Sequence, residues 1–141
     1  MMARIRLIAT LFGIMLGSLA VAASQKTVWD GVYTAAQAGR GKALYTMNCQ
    51  GCHKEDLSGR GDSGLRSPAL KGDRIISRKD VNNLFAYIKL RMPADDPGSL
   101  DEQTTVDIVS YILQQNSFPD GAEELKPDPD SLKQIQIVKK E

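Results

Sequence analysis

The residues best suited to chemistry lie in one short segment, Cys49-Gln50-Gly51-Cys52-His53. It contains both cysteines and the single histidine of the 141 residues. Two thiols on one tight turn can form thioethers with the two vinyl groups of neighbouring haem pyrroles, and the histidine after them can face the iron. This C-x-x-C-H spacing is the attachment signature of c-type haem. The segment therefore predicts one covalent haem c, tethered by Cys49 and Cys52, with His53 as an iron ligand.

Three other uses of two cysteines are less consistent with the sequence. A thioredoxin-like dithiol would lie in a βαβ pattern, and the chain has no such pattern. A structural zinc site needs about four ligands, and no further cysteine or histidine is available. A plain disulfide would leave the adjacent, solitary histidine unexplained.

The second iron ligand is predicted by elimination. Beyond residues 1–23 the chain has two methionines, Met47 and Met92. Met47 lies just before Cys49, on the tethered side of the haem, so we do not expect it to reach the other face. Met92 lies far downstream, and Pro93 constrains the chain behind it. A methionine is ordinarily core filler, but here we predict His53 and Met92 as the two metal ligands.

Two residues near these ligands are weaker candidates. A ligating histidine normally donates its other N–H to an acceptor such as a backbone carbonyl, and the carbonyl of Pro68 is a candidate. Turn punctuation alone would also explain a proline there. Arg91, beside Met92, could tune the potential, dock a partner, or be an ordinary solvated arginine.

The N-terminus has the pattern of a secretory signal peptide over residues 1–23. Arg4 and Arg6 precede an apolar run from Leu7 to Leu19, and small residues up to Ala23 suit cleavage after Ala22 or Ala23. The alternative is an uncleaved anchor, although this run is at the short limit for a membrane span. We expect export to the periplasm, with membrane contact only if the segment is retained.

The charge of the chain argues against nucleic acid as a partner, and its uneven distribution has two possible explanations. Without residues 1–23 the chain has 16 basic and 17 acidic residues, and it has no polybasic block, so nucleic acid is not an expected partner. Residues 54–91 contain nine basic and five acidic residues, whereas residues 92–141 contain four and eleven. This asymmetry could orient the protein on a partner, or it could be an ordinary solvated surface.

The remaining patterns predict an all-α domain of about three main helices. An N-terminal arm (24–36) precedes a compact domain (37–118). Thr34 is the expected N-cap of the first helix (35–47), Ser77 that of the second (to about residue 90) and Ser99 that of the third (to about Gln115). Gly39 and Gly41 in the first helix suggest that another helix crosses closely there.

Two segments outside these helices are less regular. Residues 54–76 are rich in Gly, Ser, Asp and basic side chains and are predicted to be a loop. The tail (119–141) opens with turn signals, and the alternation of Ile135 and Ile137 is a faint strand signal. It could be disordered, or it could wrap on the domain or on a partner.

Across residues 37–118 the chain resembles class I cytochromes c. The matching segments are Gly41-Lys42-Ala43-Leu44-Tyr45, the C-x-x-C-H motif, Pro68-Ala69-Leu70-Lys71-Gly72, Met92-Pro93 and Ile108-Val109-Ser110-Tyr111-Ile112-Leu113. The resemblance implies a cytochrome c fold in which the first and last helices cross at Gly41, Tyr45 and Tyr111. It also favours the Pro68 carbonyl as the partner of His53.

A narrower resemblance concerns the flanks. Val28-Trp29-Asp30-Gly31-Val32-Tyr33-Thr34, Met92-Pro93-Ala94-Asp95 and Phe118-Pro119 through the Leu132-Lys133-Gln134-Ile135 tail are similar to small exported cytochromes. Such cytochromes often accompany dehydrogenases that use pyrroloquinoline quinone. The resemblance implies an alcohol-type quinoprotein as electron donor. We expect a terminal oxidase or another cytochrome as acceptor.

The leading hypothesis is an exported monohaem cytochrome that carries single electrons and is not an enzyme. One alternative is a haem-based ligand sensor or a small oxidative enzyme with a labile methionine ligand. Another is a fixed electron-transfer subunit of a larger dehydrogenase or oxidase complex, attached through its tail.

Overall fold

The computed structural model describes residues 25–60 and 67–140, so the predicted signal peptide lies outside the described residues. Within them the structure is helical, and β structure is limited to two isolated bridges. The helices are α1 (Ala35–Asn48), α2 (Gln50–His53), α3 (Asp73–Ile76), α4 (Val81–Arg91), α5 (Glu102–Gln115) and α6 (Pro129–Lys133). The prediction of an all-α domain with about three main helices is confirmed by α1, α4 and α5.

The starts of the three long helices are set by side-chain caps. Thr34 caps α1 as predicted, because its hydroxyl accepts the backbone N–H of the third helical residue. The other two predicted caps are wrong: Asp80 rather than Ser77 caps α4, and Asp101 rather than Ser99 caps α5. A carboxylate accepts the free N–H groups and also meets the positive end of the helix dipole, which favours aspartate at these positions.

Helices α1 and α5 cross at Gly41. A Cβ atom on Gly41 would lie 2.6 Å from the carbonyl carbon of Asp107 and 3.0 Å from Cβ of Tyr111, so only glycine fits. The rings of Tyr45 and Tyr111 pack beside this contact with centroids 5.2 Å apart. The crossing expected from the resemblance is therefore present. A Cβ atom on Gly39 would meet nothing within 4 Å, so this glycine plays no part in the crossing.

The tail folds back on the domain. The backbone N–H of Gln136 donates to the Lys26 carbonyl at 2.8 Å, and its carbonyl accepts the N–H of Val28 at 3.0 Å. The N–H of Val81, at the start of α4, donates to the Ile135 carbonyl at 3.0 Å. Four apolar tail side chains are buried in the common core: Leu125, Leu132, Ile135 and Ile137. The weak strand signal thus corresponds to isolated bridges, and the tail wraps on its own domain.

A polar cluster fastens the tail to the helix crossing. The buried Asp107 carboxylate accepts hydrogen bonds from Arg40 (2.9 Å from Nε) and Gln37 (3.1 Å from Nε2). Arg40 also binds Glu124 of the tail, with Nη1 2.8 Å from Oε1. The Gln37 amide exchanges two hydrogen bonds of 2.8 Å with the backbone of Leu125. A buried carboxylate is tolerated here because several donors compensate it.

The segment predicted as a loop (54–76) is irregular over most of its described part but ends in the short helix α3. None of the helices within residues 25–60 and 67–140 is both long enough and apolar enough to cross a membrane.

Candidate haem site

The C-x-x-C-H segment and Met92 open onto the same cavity of about 560 Å³. This volume lies within the range of pockets that hold small organic cofactors, about 300–1,000 Å³. Its walls are mainly apolar, and the side chains that form them include Leu70, Ile75, Leu84, Ile88, Ile108 and Ile112. Side chains of α3, α4 and α5 therefore enclose one hydrophobic cavity.

The two cysteines lie on the turn that joins α1 to α2. The N–H groups of Cys52 and His53 both donate to the Cys49 carbonyl, at 3.1 and 2.9 Å, so one helical turn presents all three side chains. Cys49 is partly buried and Cys52 is exposed. Burial raises the pKa of the Cys49 thiol to about 11. Reactive cysteines in redox-active C-x-x-C motifs have lowered pKa values, so the raised pKa of Cys49 does not favour the dithiol redox alternative.

His53 is buried at 7% exposure and oriented by a single acceptor. Its Nδ1 lies 2.8 Å from the carbonyl oxygen of Pro68. Because a carbonyl can only accept, Nδ1 is the donor in this contact, and in the neutral tautomer with the proton on Nδ1 the other nitrogen, Nε2, can bind a metal. The structure thus brings Pro68 to His53, while coordination by His53 stays a prediction.

Backbone hydrogen bonds of Gly59 and Arg60, which the sequence did not reveal, hold the Pro68 segment beside the C-x-x-C-H turn. The N–H of Gly59 donates to the His53 carbonyl at 3.0 Å, and the N–H of Arg60 donates to the Ser67 carbonyl at 2.9 Å. A Cβ atom on Gly59 would lie 2.6 Å from the carbonyl carbon of Pro68, so this glycine permits the close approach. The Gly59 φ of +68° also favours glycine. The only available sequence signal was a glycine shortly after the motif.

Two side chains, one from α1 and one from the loop after α2, stabilise the haem-binding turn, residues 49–53. The Tyr45 hydroxyl donates to the carbonyl of Lys54, the residue after His53, at 2.7 Å. The Arg60 guanidinium donates to the Gly51 carbonyl at 2.8 Å. The resemblance placed Tyr45 at the crossing of the first and last helices. In the structure it also anchors the end of the turn, and burial raises the pKa of its hydroxyl.

Met92 enters the cavity from the end of α4. It is partly buried, and its N–H donates to the Ile88 carbonyl at 3.0 Å, which fixes it as the last hydrogen-bonded residue of the helix. Met47 also borders the cavity, but it is 78% exposed. Met92 is more buried than Met47, as expected if Met92 rather than Met47 lies over the haem. Coordination by Met92 stays a prediction.

The donor set and the cavity fit a c-type haem. Two thiols suit the two thioethers, an imidazole nitrogen and a thioether sulfur are both established haem ligands, and apolar walls suit a porphyrin face. Within the described segments no three His, Cys, Asp or Glu side chains come together as a metal site of their own.

A comparison with protein families agrees with this chemistry. Residues 36–112, more than half of the chain, match the family described as cytochrome C oxidase, cbb3-type, subunit III. The chain belongs to this family. It is a cytochrome c-type domain with a cytochrome c fold, it carries covalent haem c, and it serves haem-based electron transfer.

Other comparisons add little to the family assignment. The crystal structure of the sulfane dehydrogenase SoxCD from Paracoccus pantotrophus aligns with 89% of this cytochrome c-type chain and 68% of its own, at 18% identity and a TM-score of 0.44. A likeness this weak says nothing about function. No curated protein matches the sequence.

Proposed function

We propose that this cytochrome c-type protein is exported to the periplasm, binds a single haem and carries single electrons without being an enzyme. The observation that supports the proposal is the convergence of Cys49, Cys52, His53 and Met92 on one apolar cavity. Bound haem supplies the one-electron Fe(III)/Fe(II) couple. The chain's own residues tether it, orient it and keep water away.

Each residue has a distinct task in this proposal. Cys49 and Cys52 make the haem part of the chain. The hydrogen bond to the Pro68 carbonyl would orient the His53 ring and favour the tautomer with the proton on Nδ1. Met92 would supply a thioether sulfur as the second iron ligand, and histidine–methionine ligation would raise the reduction potential. With both protein ligands in place the iron would have no open position for oxygen, which suits a carrier rather than an enzyme that activates oxygen.

Carbon monoxide binding to the reduced holoprotein tests this assignment. We expect the wild type to bind slowly, Met92→Ala to bind rapidly because its sixth position is open, and Met47→Ala to behave as the wild type. Met47 is the matched control because its exposed side chain borders the same cavity. Rapid binding by the wild type would contradict the proposal and would favour the ligand sensor or small oxidative enzyme.

Export is supported by the charged and apolar pattern of residues 1–23. Mass spectrometry of the holoprotein from a periplasmic fraction is expected to give an N-terminus at Ala23 or Ser24. A holoprotein that retains Met1 in the membrane fraction would show an anchored form instead.

As donor we propose a quinoprotein alcohol dehydrogenase, with a terminal oxidase or another cytochrome as acceptor. Support comes from the resemblance in the N-terminal arm and the tail, which contact each other in the structure. Trp29 of the arm packs against Phe118 with ring centroids 4.9 Å apart. The Nε1 of Trp29 donates to the Val138 carbonyl of the tail at 3.0 Å. Reduction of the ferric protein by periplasmic extract is expected to require both an alcohol and pyrroloquinoline quinone. Reduction that needs neither would make it a general carrier.

A fixed subunit of a larger complex is the second candidate, because the matching family is described as an oxidase subunit. The fold weakens the role of the tail in such an attachment, since its apolar side chains Leu125, Leu132, Ile135 and Ile137 are already buried in this domain. Elution of the native holoprotein at the size of one chain is expected for a carrier. Co-elution at a large, fixed size would favour the subunit.

A further inference from the structure

Two arginines interrupt the apolar wall of the haem cavity. Arg74 belongs to α3, and Arg78 lies in the following turn, where its N–H donates to the Ile75 carbonyl at 2.9 Å. Both side chains border the cavity that contains the C-x-x-C-H segment. They come from an element separate from the haem-binding turn, so the cavity has a cationic wall as well as a covalent attachment point.

The two acids nearest to these arginines in the sequence are engaged elsewhere. Asp73 pairs with Lys139 of the tail at 3.1 Å, and the Asp80 carboxylate accepts a backbone N–H as the cap of α4. Among the described residues, neither Arg74 nor Arg78 has a carboxylate within ion-pair distance. Two cations at the edge of an apolar cavity therefore remain available to an anionic ligand.

Arg78 is also held in place. Its guanidinium carbon lies 4.6 Å from the centroid of the Tyr87 ring, a cation–π arrangement, and Tyr87 borders the same cavity. The turn is braced by the Ser77 hydroxyl, which donates to the Arg74 carbonyl at 2.9 Å. A guanidinium fixed in this way loses little further freedom when it binds a planar carboxylate through two N–H groups.

The geometry points to Arg74 and Arg78 as the binding site for the two haem propionates. Haem carries its propionates on the two pyrroles that lack the thioether-forming vinyl groups, so these carboxylates need partners away from Cys49 and Cys52. Two guanidinium groups match two carboxylates in charge and in hydrogen-bonding shape. This inference rests on the haem c of the proposed function, but it does not depend on the identity of the sixth iron ligand.

The infrared carboxylate stretch of the propionates tests the contact directly. Holoprotein with ¹³C in the propionate carboxyls is compared at fixed pH for the wild type, Arg74→Gln, Arg78→Gln and Lys79→Gln. Lys79 is the matched control, an exposed cation next to Arg78 that does not border the cavity. We expect the labelled bands to shift in both arginine variants and not in Lys79→Gln. Unshifted bands in the arginine variants, or an equal shift in Lys79→Gln, would overturn the assignment.

The reduction potential gives an independent readout. Without a guanidinium partner the propionate charge is uncompensated, which stabilises the ferric iron and lowers the potential. For the double variant Arg74→Gln/Arg78→Gln we expect at least a tenfold change in the redox equilibrium, about 59 mV for one electron. Lys79→Gln is expected to change it much less, and equal changes would contradict the proposal.

A conservative variant guards against a folding defect. Arg78→Lys keeps the charge but loses the planar fork, so its potential should stay close to that of the wild type while the labelled carboxylate band shifts. An unchanged band in this variant would overturn the role of Arg78. Slow carbon monoxide binding by all these variants would show that the iron site is intact, which separates this test from that of the proposed carrier.

Discussion

Replacement of Gly59 by alanine should disturb the haem site through backbone geometry alone. The Cβ atom would lie 2.6 Å from the carbonyl carbon of Pro68, whereas ordinary contact begins at 3.4 Å. The Pro68 backbone must therefore move by about 0.8 Å. A displacement of that size along the 2.8 Å hydrogen bond from His53 Nδ1 lengthens it to about 3.6 Å, which is no longer a hydrogen bond.

Two costs in stability follow. Alanine at a φ of +68° costs about 1–2 kcal/mol, and a buried N–H that loses its acceptor costs about 1–3 kcal/mol. Gly98→Ala is the control, because Gly98 has a φ of +83° but no atom closer than 4.0 Å to its Cβ position. We expect about 3 kcal/mol of destabilisation for Gly59→Ala and about half of that for Gly98→Ala, measured by denaturant unfolding of the holoproteins.

The reduction potential separates a disturbed ligand from a merely strained loop. A histidine whose Nδ1–H has lost its acceptor is a less basic ligand, so ferric iron is less stabilised and the potential of Gly59→Ala should rise. Gly98→Ala should leave the potential unchanged. If both variants lose equal stability and keep the wild-type potential, Gly59 does not position His53 and the reasoning is refuted.

Three further predictions concern the helices and the arm. Gly41→Ala should cost about 3 kcal/mol, because its Cβ collides with the Asp107 backbone. Gly39→Ala, in open space, should instead add about 1 kcal/mol of helix stability. Equal effects of the two substitutions in chemical denaturation would contradict the crossing. Asp107→Ala should cost about 3 kcal/mol because buried donors lose their acceptor, and a thermal melt like that of the wild type would contradict this. Burial raises the pKa of Tyr33 to about 12, so the stability that its neutral hydroxyl provides is present below pH 10 and lost as the pH rises through 12. Tyr33→Phe should flatten that part of the profile, and an unchanged slope would contradict it.

Local signals made the helices predictable. The long helices end within one residue of their expected bounds because amphipathic spacing and capping act over a few residues. The two wrong caps arose where a serine and an aspartate lie close together, at Ser77 and Asp80 and at Ser99 and Asp101. Each serine completed a capping-box pattern with the acid three residues later, Asp80 for Ser77 and Glu102 for Ser99. In the structure the carboxylates of Asp80 and Asp101 take the caps instead.

Long-range contacts were not predictable in the same way. The tail is held by pairing of Gln136 with Lys26 and Val28, more than a hundred residues earlier, and no periodicity in the tail reports such a partner. The role of Gly59 depends on the approach of a second loop, which one sequence does not reveal. The members of the candidate site were inferable because C-x-x-C-H is a local motif and because few other ligands exist. Their meeting in one cavity is a result of the fold.

The central claim is that the sulfur of Met92 binds the haem iron. It is tested most directly by NMR of the reduced holoprotein with ¹³C-labelled methionine methyl groups. A methyl group held over the haem ring is shifted far upfield by the ring current. We expect one such signal in the wild type and in Met47→Leu, and none in Met92→Leu. An upfield methyl signal that persists in Met92→Leu, or a wild-type spectrum without one, would contradict the account.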